Sequence, residues 1–234
     1  MALILNIETS TQVCSVSLSV DGKTIGIQES HTKNSHAEQI TIFIQQVISK
    51  AGYGFQDLDA VAVSKGPGSY TGLRIGVSTA KGLCYALDKP LIAISTLEAM
   101  ALGMNERIAD KDLNNTLFCP MIDARRMEVY CAMFDSNIKM VREIKAEIID
   151  ENSFANELKT NTLIFGGDGA PKCKEVLSKS QKTIFLDDFL PSSRFMSQLA
   201  EQKFNDNNFE DVAYFEPFYL KDFVAGIPRV KGLR

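Results

Sequence analysis

The sequence contains no tryptophan and only two histidines, His31 and His36. They lie five positions apart, and His36 falls in the first turn of an expected helix. They are a poor start for a metal site, and no serine–histidine–acid set can be assembled around either. An excess of basic residues is also missing: the formal net charge is −4. The chain therefore lacks the global positive field of a strong nucleic-acid binder. There is no C-x-x-C pair, and the five cysteines (Cys14, Cys84, Cys119, Cys131 and Cys173) are an odd number in apolar surroundings. They read as reduced, buried thiols rather than a disulfide framework. No apolar run approaches the ~18 residues of a spanning helix. The first residues reach Glu8 without a basic stretch, so no secretory leader is expected. What is present is a chain of 234 residues, 45% hydrophobic and 23% charged. That is enough for one large domain or two small ones with a real core.

The pattern along the chain predicts two related α/β halves. Residues 3–7 form an apolar strand that ends at Glu8. Strict alternation follows, with Cys14, Val16, Leu18 and Val20 on one face and Ser15, Ser17 and Ser19 on the other. Asp21-Gly22 signals a hairpin, and Ile25 and Ile27 continue the meander. Ser35-x-x-Glu38 has the form of a capping box opening a helix, with Ile40, Phe43, Ile44, Val47 and Ile48 on its apolar face. A strand at 60–63, a glycine-rich loop and a second helix to about 87 complete a βββαβα order. The order begins again with a strand at 117–122 that ends at Asp123, about half a chain after Glu8. Strands are expected at 129–134, 139–149, 162–165 and 183–186, and helices at 171–179 and 193–204. The second half is the reduced one. The expected division is 1–104 and 105–223, with a basic tail at 224–234.

Two features carry candidate chemistry. Acids ending the first strand of each half, with glycine-rich turns beside them, could clamp a nucleotide. Glu8 and Asp123 would then hold magnesium through water. Thr9, Ser10 and Thr11 would meet phosphates of ATP or ADP, and Gly166-Gly167-Asp168-Gly169 would pass the nucleoside. An acid-bearing turn between strands also occurs with no ligand at all. The second feature is the loop at 65–76, Lys-Gly-Pro-Gly-Ser-Tyr-Thr-Gly-Leu-Arg-Ile-Gly. Ser69 or Thr71 can cap the helix it opens. Gly72, Gly76, Ala80 and Cys84 form a small-residue stripe along that helix, which admits either the protein's own sheet or another chain. The basic residues Lys221, Arg229, Lys231 and Arg234 offer a thin footprint for RNA.

These motifs, with Ile7-Glu8-Thr9-Ser10, Ser35-His36-Ala37-Glu38, Ala80-Lys81-Gly82-Leu83 and the 122–130 run Ile-Asp-Ala-Arg-Arg-x-Glu-Val-Tyr, resemble the bacterial TsaB (YeaZ) family. Tyr70 and Met127 depart from its usual Phe and Gly. The resemblance implies an actin-like, sugar-kinase and Hsp70-like ATPase fold. It also implies a part in placing threonylcarbamoyl on the adenosine next to the anticodon of tRNAs that read codons starting with adenine. The family pairs with the catalytic paralogue TsaD and the ATPase TsaE, and would meet tRNA only through that complex. In TsaD-like proteins the matching stretch carries a His-x-Glu-Gly-His metal motif. Here its histidine positions hold Thr96 and Met100. Thr is a poor ligand and a thioether a soft one, so no metal and no transferase chemistry are expected. The expected role is a cytoplasmic, non-catalytic subunit with no required cofactor. A weak ATPase or small-molecule kinase is the alternative. The expected pairing face is His36, Gln39, Ile40 and Phe43 of the first helix and Thr71, Arg74, Ile75, Ser78 and Thr79 of the second. Left without TsaD, that face would allow a homodimer.

Overall fold

Alternating apolar positions at the start of the chain bury both faces of one strand, and this sets the architecture. The computed structural model describes residues 2–32, 35–108 and 114–221. Arg229, Lys231 and Arg234 of the basic tail lie outside the described residues. Strand β1 (Leu3–Glu8) sends Leu3, Leu5 and Ile7 into one apolar cluster and Ala2 and Ile4 into another. It pairs antiparallel with β2 (Cys14–Val20), which turns at Asp21-Gly22 into β3 (Lys23–Ser30). Both turn residues have positive φ, 50° and 72°, which suits a tight two-residue hairpin. Helix α1 (His36–Lys50), β4 (Ala60–Gly66), α2 (Tyr70–Leu87), β5 (Leu91–Ser95) and α3 (Thr96–Arg107) complete the first half. The second half holds β6 (Thr116–Asp123), β7 (Glu128–Phe134), β8 (Met140–Ile148), α4 (Glu157–Thr160), β9 (Thr162–Gly166), α5 (Ala170–Leu177) and β10 (Thr183–Phe185). A 3₁₀ turn (Ser193–Met196) leads into α6 (Ser197–Asn205).

The two five-stranded sheets repeat one plan. Their orders are β3-β2-β1-β4-β5 and β8-β7-β6-β9-β10. In each, the first three strands are an antiparallel meander and the last two join parallel. Parallel neighbours need crossover helices. The first half uses helices of 15 and 18 residues there, whereas the second uses only 4 and 8. The two halves thus share one α/β plan, and the second half is the reduced one.

Three details differ from expectation. Helix α3, unread in the sequence, is buried on almost every side, and Met100 and Met104 join Ile92 and Ile94 to Phe118, Ile122 and Ile164 of the second sheet. A helix wrapped by core has no polar face, so its periodicity is weak. The face of β2 that carries Ser15, Ser17 and Ser19, for which no covering element was read, is buried at all three. The 3₁₀ turn and α6 cover them, with Ser15 Oγ 2.7 Å from Ser193 Oγ and donating to Glu29 Oε1 at 2.7 Å. The capping box of α1 does not close either: the Ser35 hydroxyl donates backward to the Thr32 carbonyl at 2.7 Å and caps nothing. The five cysteines are free and buried, and burial pushes Cys14 and Cys173 up to about 11 and Cys84 up to about 12.

Candidate functional site: two strand-end turns and the outer face of helix α2

The first turn, Glu8 to Thr11, lies under the start of α2. The Ser69 hydroxyl accepts the Gly72 N–H at 3.3 Å, capping the helix, and the Ser69 N–H donates to the Ser10 carbonyl at 2.6 Å. Thr9 Oγ1 donates to the Gly72 carbonyl at 2.8 Å. A Cβ on Gly68, Gly72 or Gly76 would stand 2.3, 2.1 or 2.2 Å from oxygens of Ser10 or Thr9. The small-residue stripe therefore serves the protein's own turn; the reading in which it meets another chain is corrected by this contact. Glu8 folds back on the same turn. Its carboxylate accepts the Ser10 N–H at 2.6 Å and the Ser64 hydroxyl at 3.1 Å, and full burial raises its pKa above the usual carboxylate range.

A raised folded-state pKa means the folded protein holds that proton more tightly than the unfolded chain. The stability this contributes is present at low pH and is lost as pH rises from the ordinary carboxylate range through the folded value. Glu8→Gln removes that loss. Urea unfolding across a pH series is expected to show the wild type falling relative to Glu8→Gln as pH rises above about 4. Parallel stability curves would contradict the burial of a titrating carboxyl here.

The second turn is equally self-occupied. Asp123 forms an ion pair with Lys172 and accepts the Arg125 N–H at 2.9 Å. Asp168 accepts the Asp123 N–H at 3.1 Å, and burial raises its pKa. The glycine turn at 166–169 is packed, not open. A Cβ on Gly167 would lie 2.5 Å from the Met100 methyl and 2.2 Å from the Met121 carbonyl, and one on Gly166 would meet Met104 at 3.3 Å. Gly167, at φ +114°, could not carry a side chain without strain. In this conformation the residues do not fit a magnesium nucleotide. The Ser10 N–H and the Thr9 hydroxyl are spent inside the chain, Asp123 is neutralised by Lys172, and methionine fills the nucleoside turn. Thr96 and Met100 stand one turn apart on α3, both buried, and the Thr96 hydroxyl has no hydrogen-bond partner among the described residues.

The expected pairing residues separate into two groups. Thr71, Arg74 and Ser78 are exposed, and Ile75, Thr79, Gln39 and Phe43 are half-buried. His36 and Ile40 are buried in the protein's own core, and the His36 ring lies 3.2 Å from the Val13 carbonyl. Both are withdrawn from the exposed surface of the chain. Sequence reasoning missed Tyr85, 86% exposed, and Ile42 on α1, 51% exposed. With Gly82 also exposed, Thr71, Arg74, Ser78, Gly82 and Tyr85 make a continuous outer stripe on α2, spaced three or four residues apart. The 3.6-residue period carried that signal once the buried face was known.

Sequence reasoning also missed the course of the segment at 209–221. The Glu210 N–H donates to the Leu91 carbonyl at 2.8 Å, and the Lys81 ammonium donates to the carbonyls of Ala213 and Phe215 at 3.1 and 3.0 Å. Arg74 lies 4.2 Å over the Tyr70 ring and donates to the Tyr219 hydroxyl at 3.2 Å. Lys221 forms an ion pair with Glu128, so one of the basic residues considered for RNA is engaged within the chain.

The TsaD family model, described as tRNA N6-adenosine threonylcarbamoyltransferase, matches residues 13–228. The chain is 31% identical over 231 residues to the tRNA threonylcarbamoyladenosine biosynthesis protein TsaB of Escherichia coli (strain K12), covering 95% of this chain and 96% of that protein. It is 28% identical over 231 residues to the protein of that name from Haemophilus influenzae, covering 95% of this chain and 94% of that one. Its fold is similar to that of YeaZ from Pseudomonas aeruginosa, with a TM-score of 0.80 at 22% identity over 94% of this chain and 100% of that one. No helix among the described residues is long and apolar enough to cross a membrane. Near full-length identity to TsaB and a shared fold with YeaZ mean that the chain belongs to the TsaB (YeaZ) family, within the larger family that the TsaD model describes.

Proposed function

We propose that this chain is a non-catalytic subunit of the apparatus that forms threonylcarbamoyladenosine in tRNA, and that it works by pairing with TsaD. One observation carries the reading. Both strand-end turns are filled by the chain's own side chains, while the outer stripe of α2 is left exposed around Arg74, Ser78 and Tyr85. An aromatic and an arginine are the residue types that most often anchor protein interfaces. TsaE is the further component, tRNA is reached through the assembled complex, and no cofactor of its own is required. Without TsaD the same stripe is available to a second copy of the chain.

The test is direct. Light scattering of the chain mixed with its TsaD is expected to show a heterodimer. Ser78→Arg, which places a bulky charge mid-stripe, should weaken that complex by at least about 100-fold, the scale of a hot-spot loss of roughly 2–3 kcal/mol. Leaving the chain out of a reconstituted modification assay should abolish product. ATP hydrolysis by the chain alone should stay at buffer background. Failure to find any complex overturns the pairing, and nucleotide turnover by the chain alone would revive the kinase reading.

A further inference from the structure

We propose that the segment at 218–221 is a latch that holds the two halves closed across the mouth between the β1 and β6 turns. It is anchored on both sides. On the first half, the Phe218 N–H donates to the Lys65 carbonyl at 2.7 Å. The Phe218 carbonyl presses on Gly66, where an added Cβ would come within 2.8 Å of it. Tyr219 packs on Tyr70, ring centroids 4.9 Å apart, and receives the Arg74 hydrogen bond. On the second half, the Lys221 ammonium pairs with Glu128 and stands 5.9 Å from the Tyr130 ring centroid.

These anchors flank the two turns. Lys65 and Gly66 end β4, the parallel neighbour of β1, whose last residue is Glu8. Glu128 opens β7, which pairs with β6 through Asp123 and Val129. Three residue steps separate the Phe218 anchor from the Lys221 anchor, and such a span reaches roughly 10 Å at full extension. The latch therefore limits how far the turns can part while it stays in place. Upstream, the chain is held by the Glu210–Leu91 bridge and by Lys81, so release at 218–221 leaves the remainder attached. The latch stands independently of the TsaD pairing, although it also fixes Arg74, a residue of that proposed stripe.

The experiment uses the full chain alone. A zero-length carbodiimide should join Lys221 to Glu128, giving a cross-linked peptide identifiable by mass spectrometry. The linked protein should exchange amide hydrogens around residues 9–13 and 124–128 more slowly than the unlinked protein. Tyr219→Ala/Lys221→Ala should speed exchange at both turns on the order of tenfold, with the interiors of β1 and β6 unchanged. Its thermal midpoint should move by only a few degrees, because the removed contacts lie at the surface, with Tyr219 half-buried and Lys221 exposed. Unchanged exchange at both turns in the double variant, or no Lys221–Glu128 cross-link in the wild type, overturns the latch.

Discussion

Replacing Gly72 with alanine is expected to destabilise the protein by about 3 kcal/mol, the upper range for overpacking a well-filled site. Alanine is nevertheless the better helix former by about 1 kcal/mol. The two effects oppose, and distance decides between them. A Cβ at Gly72 would stand 2.1 Å from the Thr9 carbonyl oxygen, and that neighbour is backbone. Relief requires moving α2 off the turn, which breaks the Thr9 Oγ1–Gly72 bond and uncovers Thr9 and Ser10. Calorimetry should show the midpoint falling by roughly 6–12 °C, at about 2–4 °C per kcal/mol for a chain of this size. Gly82 on the same helix supplies the control. It is exposed, and a Cβ there meets nothing within 4 Å. Gly82→Ala should therefore raise stability by about 1 kcal/mol, through propensity alone. If both variants were stabilised, α2 would not rest on the β1 turn.

Met100→Ala should cost about 3 kcal/mol, within the range of roughly 2–5 for emptying a buried methionine site. Met100 is buried in the cluster that joins the two sheets, and its methyl group fills the turn at Gly167. The surrounding groups resist collapse: the Met121 carbonyl is backbone, and Gly167 is fixed at positive φ. Met100→Leu conserves volume and should cost less than about 1.5 kcal/mol. Chemical denaturation of the pair measures the difference. Equal effects would mean that Met100 only contributes apolar area and plugs nothing.

The sequence made the strands and turns legible where a local rule governs them. Asp21-Gly22 gave its hairpin because both residues accept positive φ at low cost. Ser69 capped its helix, because that bond reaches only three residues along the chain. Ser35 did not cap, because its hydroxyl found the nearer Thr32 carbonyl. The burial of the β2 serines was out of reach for another reason: alternation reports two chemically different faces, and cannot report that 193–197 will cover the polar one. Ile40 and His36 of the expected pairing face are likewise buried in the chain. Helical spacing marks an apolar stripe, but both the core and a partner want such a stripe.

By itself the sequence determined the order of elements apart from β5, α3 and α4, the duplication, the turn positions and the family motifs. Each depends on neighbours within a few residues, or on side-chain period, and both survive in one dimension. The tertiary structure alone decided where the ambiguous groups point. The glycine stripe of α2 faces Thr9, 63 positions away. Ser15 meets Ser193 at a separation of 178, and Arg74 meets Tyr219 at 145. The first of these contacts fills the β1 turn, and the outer face of α2 stays exposed. No local rule could select them, because each is set by how two sheets and a returning chain end pack, and burial, which settles each polar group's partner, exists only once they have packed.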